Sequence, residues 1–234
     1  MSAIYLKELR SYFTSMIGYI YLSVFLLIGG FIFTTGNLLS QNGDIKSWFA
    51  SIFSVLIFLV PILTMRLFSE ERKMRTLQLL FTMPVSLGEI VFGKFLATLT
   101  VLGMGLAVTL LYPLILAFFG SVEAMVVVGN YLGMSLLVST CIAIGMFISA
   151  LTENQIIAAV VTYSVLLGLW LLDTAGQNLI KGSLGEVVRY LSLTTHYSEF
   201  TYGILNPADL VYYLTLTALF LFFSVLALEG RKSA

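Results

Sequence analysis

The chain has 234 residues, of which 59% are hydrophobic and 10% are charged, and its mean hydropathy is +1.00. A soluble globular domain has about 45–50% apolar and about 25% charged residues, so this composition excludes an ordinary soluble protein. Twelve Lys and Arg balance twelve Asp and Glu. The net charge therefore gives no indication of nucleic acid or of an acidic ligand.

Ionisable side chains are missing from six intervals of the sequence, which are 19 to 33 residues long. About 20 helical residues cross a hydrocarbon core of about 30 Å, so each interval accommodates one membrane span. Buried helices of a soluble protein would carry a polar stripe, which these intervals lack. We predict an all-α polytopic membrane protein with a single domain over 1–234. The predicted spans are 16–36, 48–67, 95–119, 128–150, 154–173 and 208–228.

Basic residues are distributed unequally between the two sides that these spans define. With the N-terminus inside, nine of the twelve Lys and Arg lie on the inner side and three on the outer side. The inner nine are Lys7, Arg10, Arg66, Arg72, Lys73, Arg75, Lys94, Arg231 and Lys232. Basic residues near membrane segments resist translocation. We therefore predict a multi-pass protein of the inner (plasma) membrane, with both termini in the cytoplasm.

The residues before the first span have an amphipathic pattern. One helical face carries Tyr5, Leu9, Tyr12, Phe13 and Met16, and another carries Lys7, Arg10 and Thr14. This pattern predicts an interfacial helix that leads into the first span. The alternative is a basic flank with accidental periodicity.

The segment 68–94 is long for a connection between two spans and lies on the predicted inner side. Glu71 and Arg75 are four residues apart, and Leu77, Leu80 and Phe81 recur at helical spacing, so a short amphipathic helix is expected before Pro84. Ser86 and Glu89 form a capping box that opens the third membrane helix. We expect Lys94 to extend its ammonium group to the membrane rim. A solvated loop that only satisfies the charge rule is the alternative.

The segment 174–207 is the second long connection and lies on the predicted outer side. Ser183 and Glu186 predict a short helix that is re-entrant or interfacial. Asn206 and Pro207 are expected to be the N-cap and first residue of the sixth helix. Thr152 is expected to cap the fifth helix after a tight inner turn.

Residues with catalytic chemistry are scarce. His196 is the single histidine, and we interpret it as a surface or packing residue. Gly88, Gly93 and Lys94 have the spacing of a phosphate-binding loop, but Phe95 replaces the Ser or Thr that would bind magnesium. Gly129 and Gly133 form a G-x-x-x-G that could allow close helix approach. We predict no catalytic residue, cofactor or metal site in this chain.

The absence of ionisable groups from the six intervals also constrains the mechanism. Proton-coupled carriers usually have Asp, Glu or His at depth in the membrane. If this protein moves a substrate energetically uphill, the energy must enter from outside the membrane. The segment from Arg66 to Lys94 is the expected point of entry.

These features resemble the permease subunits of ABC-2 type ATP-binding-cassette transporters over nearly the whole chain. The matching stretches are IYLKELRSYF, SEERKMRTLQLLFTMPVSLGEIVFGKF, LTENQIIA and LTTHYSEFTYGILNPADLVYYL. The last of these is similar to the branch of gliding-motility and nitrous-oxide-reductase-maturation permeases. The family motif E-E-[RK]-x-x-G-T-[LI]-[ED]-L-L matches from Glu70 to Leu80, except that Arg75 replaces Gly and Gln78 replaces an acid.

The resemblance implies a subunit that couples ATP hydrolysis by separate cytoplasmic ATPase subunits to export of an unidentified substrate. ATP and Mg would be bound by the ATPase, and a second permease copy or paralogue would complete the membrane part. The implied coupling residues are Glu70, Glu71, Arg72, Lys73, Arg75, Thr76, Leu77, Leu80 and Pro84. The implied elbow helix along the inner surface contains Tyr5, Lys7, Glu8 and Arg10.

Two alternative functions are compatible with the same residues. An ATP-driven mechanical or maturation module would act on an extracytoplasmic partner through the outer segment, without transported cargo. A channel or secondary carrier would allow flux with no ATPase present.

Overall fold

The structure is a computed structural model that describes residues 2–74, 85–119, 123–178 and 192–232. The described residues form α-helices and one short π-helix, with no strand among them, which confirms the all-α prediction. The helices are α1 Ser2–Thr14, α2 Ile17–Phe33, the π-helix Thr34–Leu39, α3 Lys46–Thr64, α4 Arg66–Lys73, α5 Leu87–Thr109, α6 Leu111–Phe119, α7 Ala124–Leu151, α8 Gln155–Asn178, α9 Leu193–Thr201 and α10 Pro207–Lys232.

Within the described residues, six helical stretches are long and apolar enough to cross a membrane, which confirms the predicted number. They are Ile17–Leu39, Lys46–Lys73, Leu87–Phe118, Ala124–Leu151, Gln155–Leu172 and Pro207–Gly230. Successive spans alternate in direction. The N-terminus, α4 and the turn between α7 and α8 lie at one end of the bundle, called here the N-terminal end. The opposite end carries α9 and the connections that lead into α3, α7 and α10.

The centre of the bundle is α7. Its span is 72% buried, whereas the last span, in α10, is 11% buried. Small residues allow neighbours to approach α7 closely: a Cβ atom at Gly145 would overlap the side chain of Thr64 in α3. On α2, α8 and α10 large apolar side chains such as Leu27, Ile156 and Phe222 are exposed, as expected for surfaces that face hydrocarbon or another membrane subunit.

The helices α3 and α4 form a nearly continuous rod. Only Met65 separates them, its backbone is in the right-handed helical region, and its N–H donates to the carbonyl of Pro61 at 2.9 Å. The rod contains 28 residues, which corresponds to about 42 Å at 1.5 Å per residue. A hydrocarbon core is about 30 Å thick, so the rod is long enough for α4 to project beyond it.

Side-chain caps define the starts of several helices, and the sequence predicts caps for three of them. Ser86 Oγ accepts from Glu89 N–H at 3.3 Å and caps the start of α5, as predicted. This helix begins at Leu87, whereas the sequence predicts that the third span begins at residue 95. Asn206 Oδ1 accepts from Ala208 N–H at 3.1 Å before Pro207, also as predicted. The prediction for α8 is wrong. Asn154 Oδ1, not Thr152, accepts from Ile156 N–H at 2.9 Å, because Asn154 immediately precedes the helix.

Candidate functional site

The N-terminal helix α1 packs against α5 at the N-terminal end. Tyr5 Oη lies 3.1 Å from Thr100 Oγ1, and Tyr12 Oη lies 2.9 Å from Thr98 Oγ1. A Cβ atom at Gly93 would lie only 3.1 Å from the side chain of Ile4, so this glycine allows the two helices to approach. The tyrosine-bearing face of α1, for which the sequence predicts a membrane contact, therefore contacts protein. Burial raises the pKa of Tyr12 above its ordinary value, so its hydroxyl stays neutral.

A buried lysine connects α1 and α4 to α5. Lys94 is 1% exposed, and its Nζ atom lies 2.9 Å from Glu8 Oε1 and 2.9 Å from Glu71 Oε1. The prediction that Lys94 extends to the membrane rim is wrong. Two carboxylates from other helices reach the ammonium group inside the protein, so it does not need solvent. Removing one partner of such a buried pair typically costs about 3–5 kcal/mol, because the remaining charge is unpaired.

A second lysine makes this group of charges neutral. Lys7 Nζ lies 4.0 Å from Glu8 Oε1 and 3.9 Å from Glu71 Oε1, and its side chain is 61% exposed. Lys7, Glu8, Glu71 and Lys94 are called here the Lys94 cluster. The ring of Phe68 lies 5.3 Å from Lys94 Nζ and adds a cation–π contact. Two ammonium groups and two carboxylates thus balance one another at the junction of three helices.

A cavity of about 250 Å³ lies beside the Lys94 cluster between α1 and α4. Arg66 forms part of its wall: Arg66 Nε lies 2.9 Å from Glu70 Oε2, and Arg66 Nη1 donates to Ser15 Oγ at 3.0 Å. The cavity is lined by Lys7, Glu8, Ser11, Tyr12, Arg66, Leu67, Glu70, Glu71, Met74 and Lys94. The charged walls are already paired with each other, so the cavity itself carries little unbalanced charge.

On its other side, α4 is joined to the turn between α7 and α8. Arg72 Nη2 lies 2.7 Å from Glu153 Oε1, and Arg72 Nη1 donates to the carbonyl of Ala150 at 3.2 Å. An arginine that bonds a carboxylate and a carbonyl together has a fixed orientation, because its donors lie in one plane. The guanidinium group therefore sets the position of α4 relative to α7.

Ser149 of α7 holds the junction between α3 and α4. Its Oγ accepts from Phe68 N–H at 3.1 Å and from Ser69 N–H at 3.2 Å, and donates to the carbonyl of Met65 at 3.0 Å. One hydroxyl thus serves three backbone groups at the start of α4. Unpaired groups of this kind are costly when buried, so Ser149 fixes where the rod leaves the bundle.

The opposite end carries a separate buried polar network around α9. Tyr197 Oη donates to Asn130 Oδ1 at 3.1 Å, and Asn130 Nδ2 donates to the carbonyl of Thr201 at 3.3 Å. His196 is buried, bonds Asp209 through Nδ1 and stacks on Tyr212, so the structure makes it a packing residue and not a surface one. The outer helix predicted from Ser183 lies outside the described residues.

Gly129 and Gly133 form the surface of α7 against which α9 packs. A Cβ atom at Gly133 would lie 2.7 Å from Phe200 Cβ, and one at Gly129 would lie 2.7 Å from the carbonyl oxygen of Phe200. The sequence indicates that this G-x-x-x-G allows close helix approach, and it does. The helix that approaches is the short α9 and not another span.

Comparison with known families agrees with this architecture. The family model described as "ABC-2 family transporter protein" matches residues 2–229 of the chain. The chain belongs to the ABC-2 transporter family. No curated protein matches it. An ABC-2 protein of this kind is the membrane permease component of an ABC transporter, and the family works with a cytoplasmic ATPase.

The structure gives the predicted coupling residues of this ABC-2 permease different environments. Glu71 and Arg72 are bonded to other elements of the permease, whereas Glu70 is paired with Arg66 within α4. Lys73 is exposed at the end of α4, and Met74, which follows it, is 67% exposed. Five predicted residues lie outside the described part of the chain: Arg75, Thr76, Leu77, Leu80 and Pro84.

The predicted elbow residues of the ABC-2 permease also divide into two groups. Lys7 and Arg10 are exposed, whereas Tyr5 and Glu8 turn towards α5. Sequence reasoning missed the meeting of Glu8, Glu71 and Lys94. A signal was present: Lys94 lies two turns inside the helix that Ser86 opens, where a lysine needs a partner, and both neighbouring amphipathic segments contain a glutamate.

Proposed function

We propose that this chain is the permease subunit of an ATP-binding-cassette exporter, driven by separate cytoplasmic ATPase subunits that bind ATP and Mg. The N-terminal end of the bundle lies in the cytoplasm at the inner (plasma) membrane. The observation that carries the proposal is the rod formed by α3 and α4. It is long enough to leave the membrane, and its projecting part is fixed to α5 and α7 by buried polar contacts. A helix held in this way transmits displacement.

Force applied to the end of α4 has a defined route into the membrane. The rod carries it along α3, and Ser149 together with the Arg72–Glu153 pair carries it to α7. Since α7 is the centre of the bundle, a shift there repacks the remaining helices. Rigid-body motion of packed helices is a common way in which an effector site changes a distant one. Export follows when this repacking alternates access across the membrane.

The ATPase contact is expected to begin where α4 becomes exposed. Lys73 and Met74 offer a charged and an apolar side chain, and the predicted coupling residues Arg75 to Pro84 follow directly. Glu71 and Arg72 support this surface from within the permease. A second permease copy or a paralogue would cover part of the exposed apolar surface on α2, α8 or α10.

The test begins with the full chain, tagged and purified from its native membranes under mild cross-linking. We expect a nucleotide-binding ATPase in the assembly and ATP hydrolysis by it. Met74→Asp should weaken ATPase association about tenfold or more, because a buried apolar contact at an interface is replaced by a charge. Met125→Asp is the matched control, since Met125 is 63% exposed at the opposite end. An assembly without any ATPase, or equal losses in the two variants, would overturn the proposal.

A further inference from the structure

We propose that Lys94 is a positioning residue that holds together the two ends of the connection 74–86 between α4 and α5, called here the coupling segment, so that α1, α4 and the start of α5 move as one body. The ion pair of Lys94 with Glu71 joins the helix before the coupling segment to the helix after it. The ion pair with Glu8 adds the N-terminal helix to the same joint. The final step of this inference, movement driven by ATP, rests on the function proposed above.

Three helices that are distant in sequence meet at one nitrogen atom. Glu8 is 86 residues and Glu71 is 23 residues away from Lys94, and both carboxylates lie 2.9 Å from Nζ. The three side chains are 12%, 15% and 1% exposed, respectively. Lys7 is the solvent-facing member of the cluster, so charge balance is kept without opening the joint to water.

Burial makes this joint hard to open. Moving α4 away from α5 would leave Lys94 with one carboxylate fewer in a place that water does not reach, and moving α1 away would have the same effect. Neutral contacts also hold α1 on α5, through Tyr5 and Tyr12. The connection of α4 to α1 and α5, by contrast, is made by the cluster, by the Phe68 ring on Lys94 and by the exposed hydrogen bond between Arg66 and Ser15. One neutral hydrogen bond, from Tyr12 Oη to the carbonyl of Leu63 at 3.3 Å, also joins α1 to the end of α3.

Two consequences distinguish this role from ordinary stabilisation. Displacement of the coupling segment should reach α1 through the cluster, in addition to the hydrogen bond that joins Tyr12 of α1 to Leu63 of α3. While the cluster is intact, α1 and α4 should be displaced by equal amounts. Breaking the cluster in a protein that still folds should separate the two motions.

The test uses the triple variant Glu8→Gln, Glu71→Gln and Lys94→Met, which removes all the buried charges together and leaves none unpaired. Spin labels are placed on single cysteines at Arg10, Lys73 and Glu123, which are all exposed, in a Cys141→Ala background. Distances from 10 to 123 and from 73 to 123 are measured in the complex with its ATPase, with and without a non-hydrolysable ATP analogue. The matched control replaces a buried hydrogen-bonded pair at the opposite end, with His196→Gln and Asp209→Asn.

In the unmodified cluster and in the control we expect the nucleotide to shift both distances. In the triple variant the distance from 73 should still shift, and the distance from 10 should shift by a smaller amount. Equal shifts of both distances in the triple variant would overturn the inference. If neither distance shifts with the cluster intact, the proposed function fails instead. In the permease alone, the 10-to-73 distance distribution should broaden about twofold in the triple variant, and an unchanged width would also count against the joint.

Discussion

A single charged residue near the end of a membrane span has two ways to avoid hydrocarbon. It can extend its charge to the interface, or it can meet opposite charges inside the protein. Lys94 takes the second course because α1 and α4 bring Glu8 and Glu71 to it. Arg72 is different, because it lies in the projecting helix α4 and its partner Glu153 is 65% exposed. Local sequence alone does not choose between these courses, since both depend on which helices become neighbours.

Glycine residues of the spans likewise differ in what surrounds them. Gly133 lies against Phe200, whereas a Cβ atom at Gly103 of α5 would meet nothing within 4 Å. We predict that Gly133→Ala destabilises the protein by about 1–3 kcal/mol through overpacking, and lowers its melting temperature in detergent. Gly103→Ala should leave the melting temperature equal or slightly higher, because alanine favours a helix by about 1 kcal/mol. Identical melting temperatures in the two variants would contradict the close packing of α9.

Among the elements, α4 has the most unusual position. It continues a membrane span, ends with exposed residues and is bonded on two sides. Its first turn depends on α7, because the hydroxyl of Ser149 serves three backbone groups of the junction. A projecting helix without such contacts would fray, since an isolated helix of this length is marginal in water.

The junction can be tested by removing one hydroxyl. Ser149→Ala should leave buried N–H groups of Phe68 and Ser69 unpaired, at a cost of about 1–3 kcal/mol. We expect backbone hydrogen exchange over residues 66–74 to accelerate about tenfold or more, since 1.4 kcal/mol corresponds to a factor of ten. Ser139→Ala is the control, because Ser139 Oγ bonds the carbonyl of Ser135 within its own helix. Equal acceleration in both variants would remove Ser149 from this role.

For the molecule as a whole, the bundle separates two polar ends with different structures. The N-terminal end contains the Lys94 cluster and the Arg72–Glu153 pair. The opposite end contains the network of Asn130 and Tyr197, the His196–Asp209 pair and α9, which packs on glycines of α7. Burial raises the pKa of Tyr197 above its ordinary value, so this hydroxyl also stays neutral. Charge is thus concentrated at the end for which the basic residues predict a cytoplasmic location.

The orientation of the bundle gives a prediction for intact cells. Single cysteines at Asn42 and Tyr202, both exposed at the opposite end, should react with a membrane-impermeant maleimide added from outside. Single cysteines at Arg10 and Met74 should react only after the membrane is permeabilised. The physical reason is that basic residues near spans resist translocation. The reverse labelling pattern would place the N-terminal end outside and would contradict the coupling proposal as well.

The class of the protein and the number of its spans could be predicted from the amino-acid sequence. Long uncharged intervals are sufficient for this, because hydrocarbon excludes charge and fixes the length of a crossing helix. Local hydrogen bonding also made two helix starts predictable, at Ser86 and Asn206. The cap of α8 was not predictable in the same way, since Thr152 and Asn154 both have capping side chains.

Which side chains come into contact depends on how the helices pack in the tertiary structure. Glu8, Glu71 and Lys94 belong to three separate segments, and their local patterns indicate that Lys94 needs a partner but not which carboxylates reach it. The same is true of Ser149 at the junction of α3 and α4, and of Gly133 beneath Phe200. Periodicity reports the environment of each helix face, whereas contacts between helices depend on packing, and packing is a property of the assembled bundle.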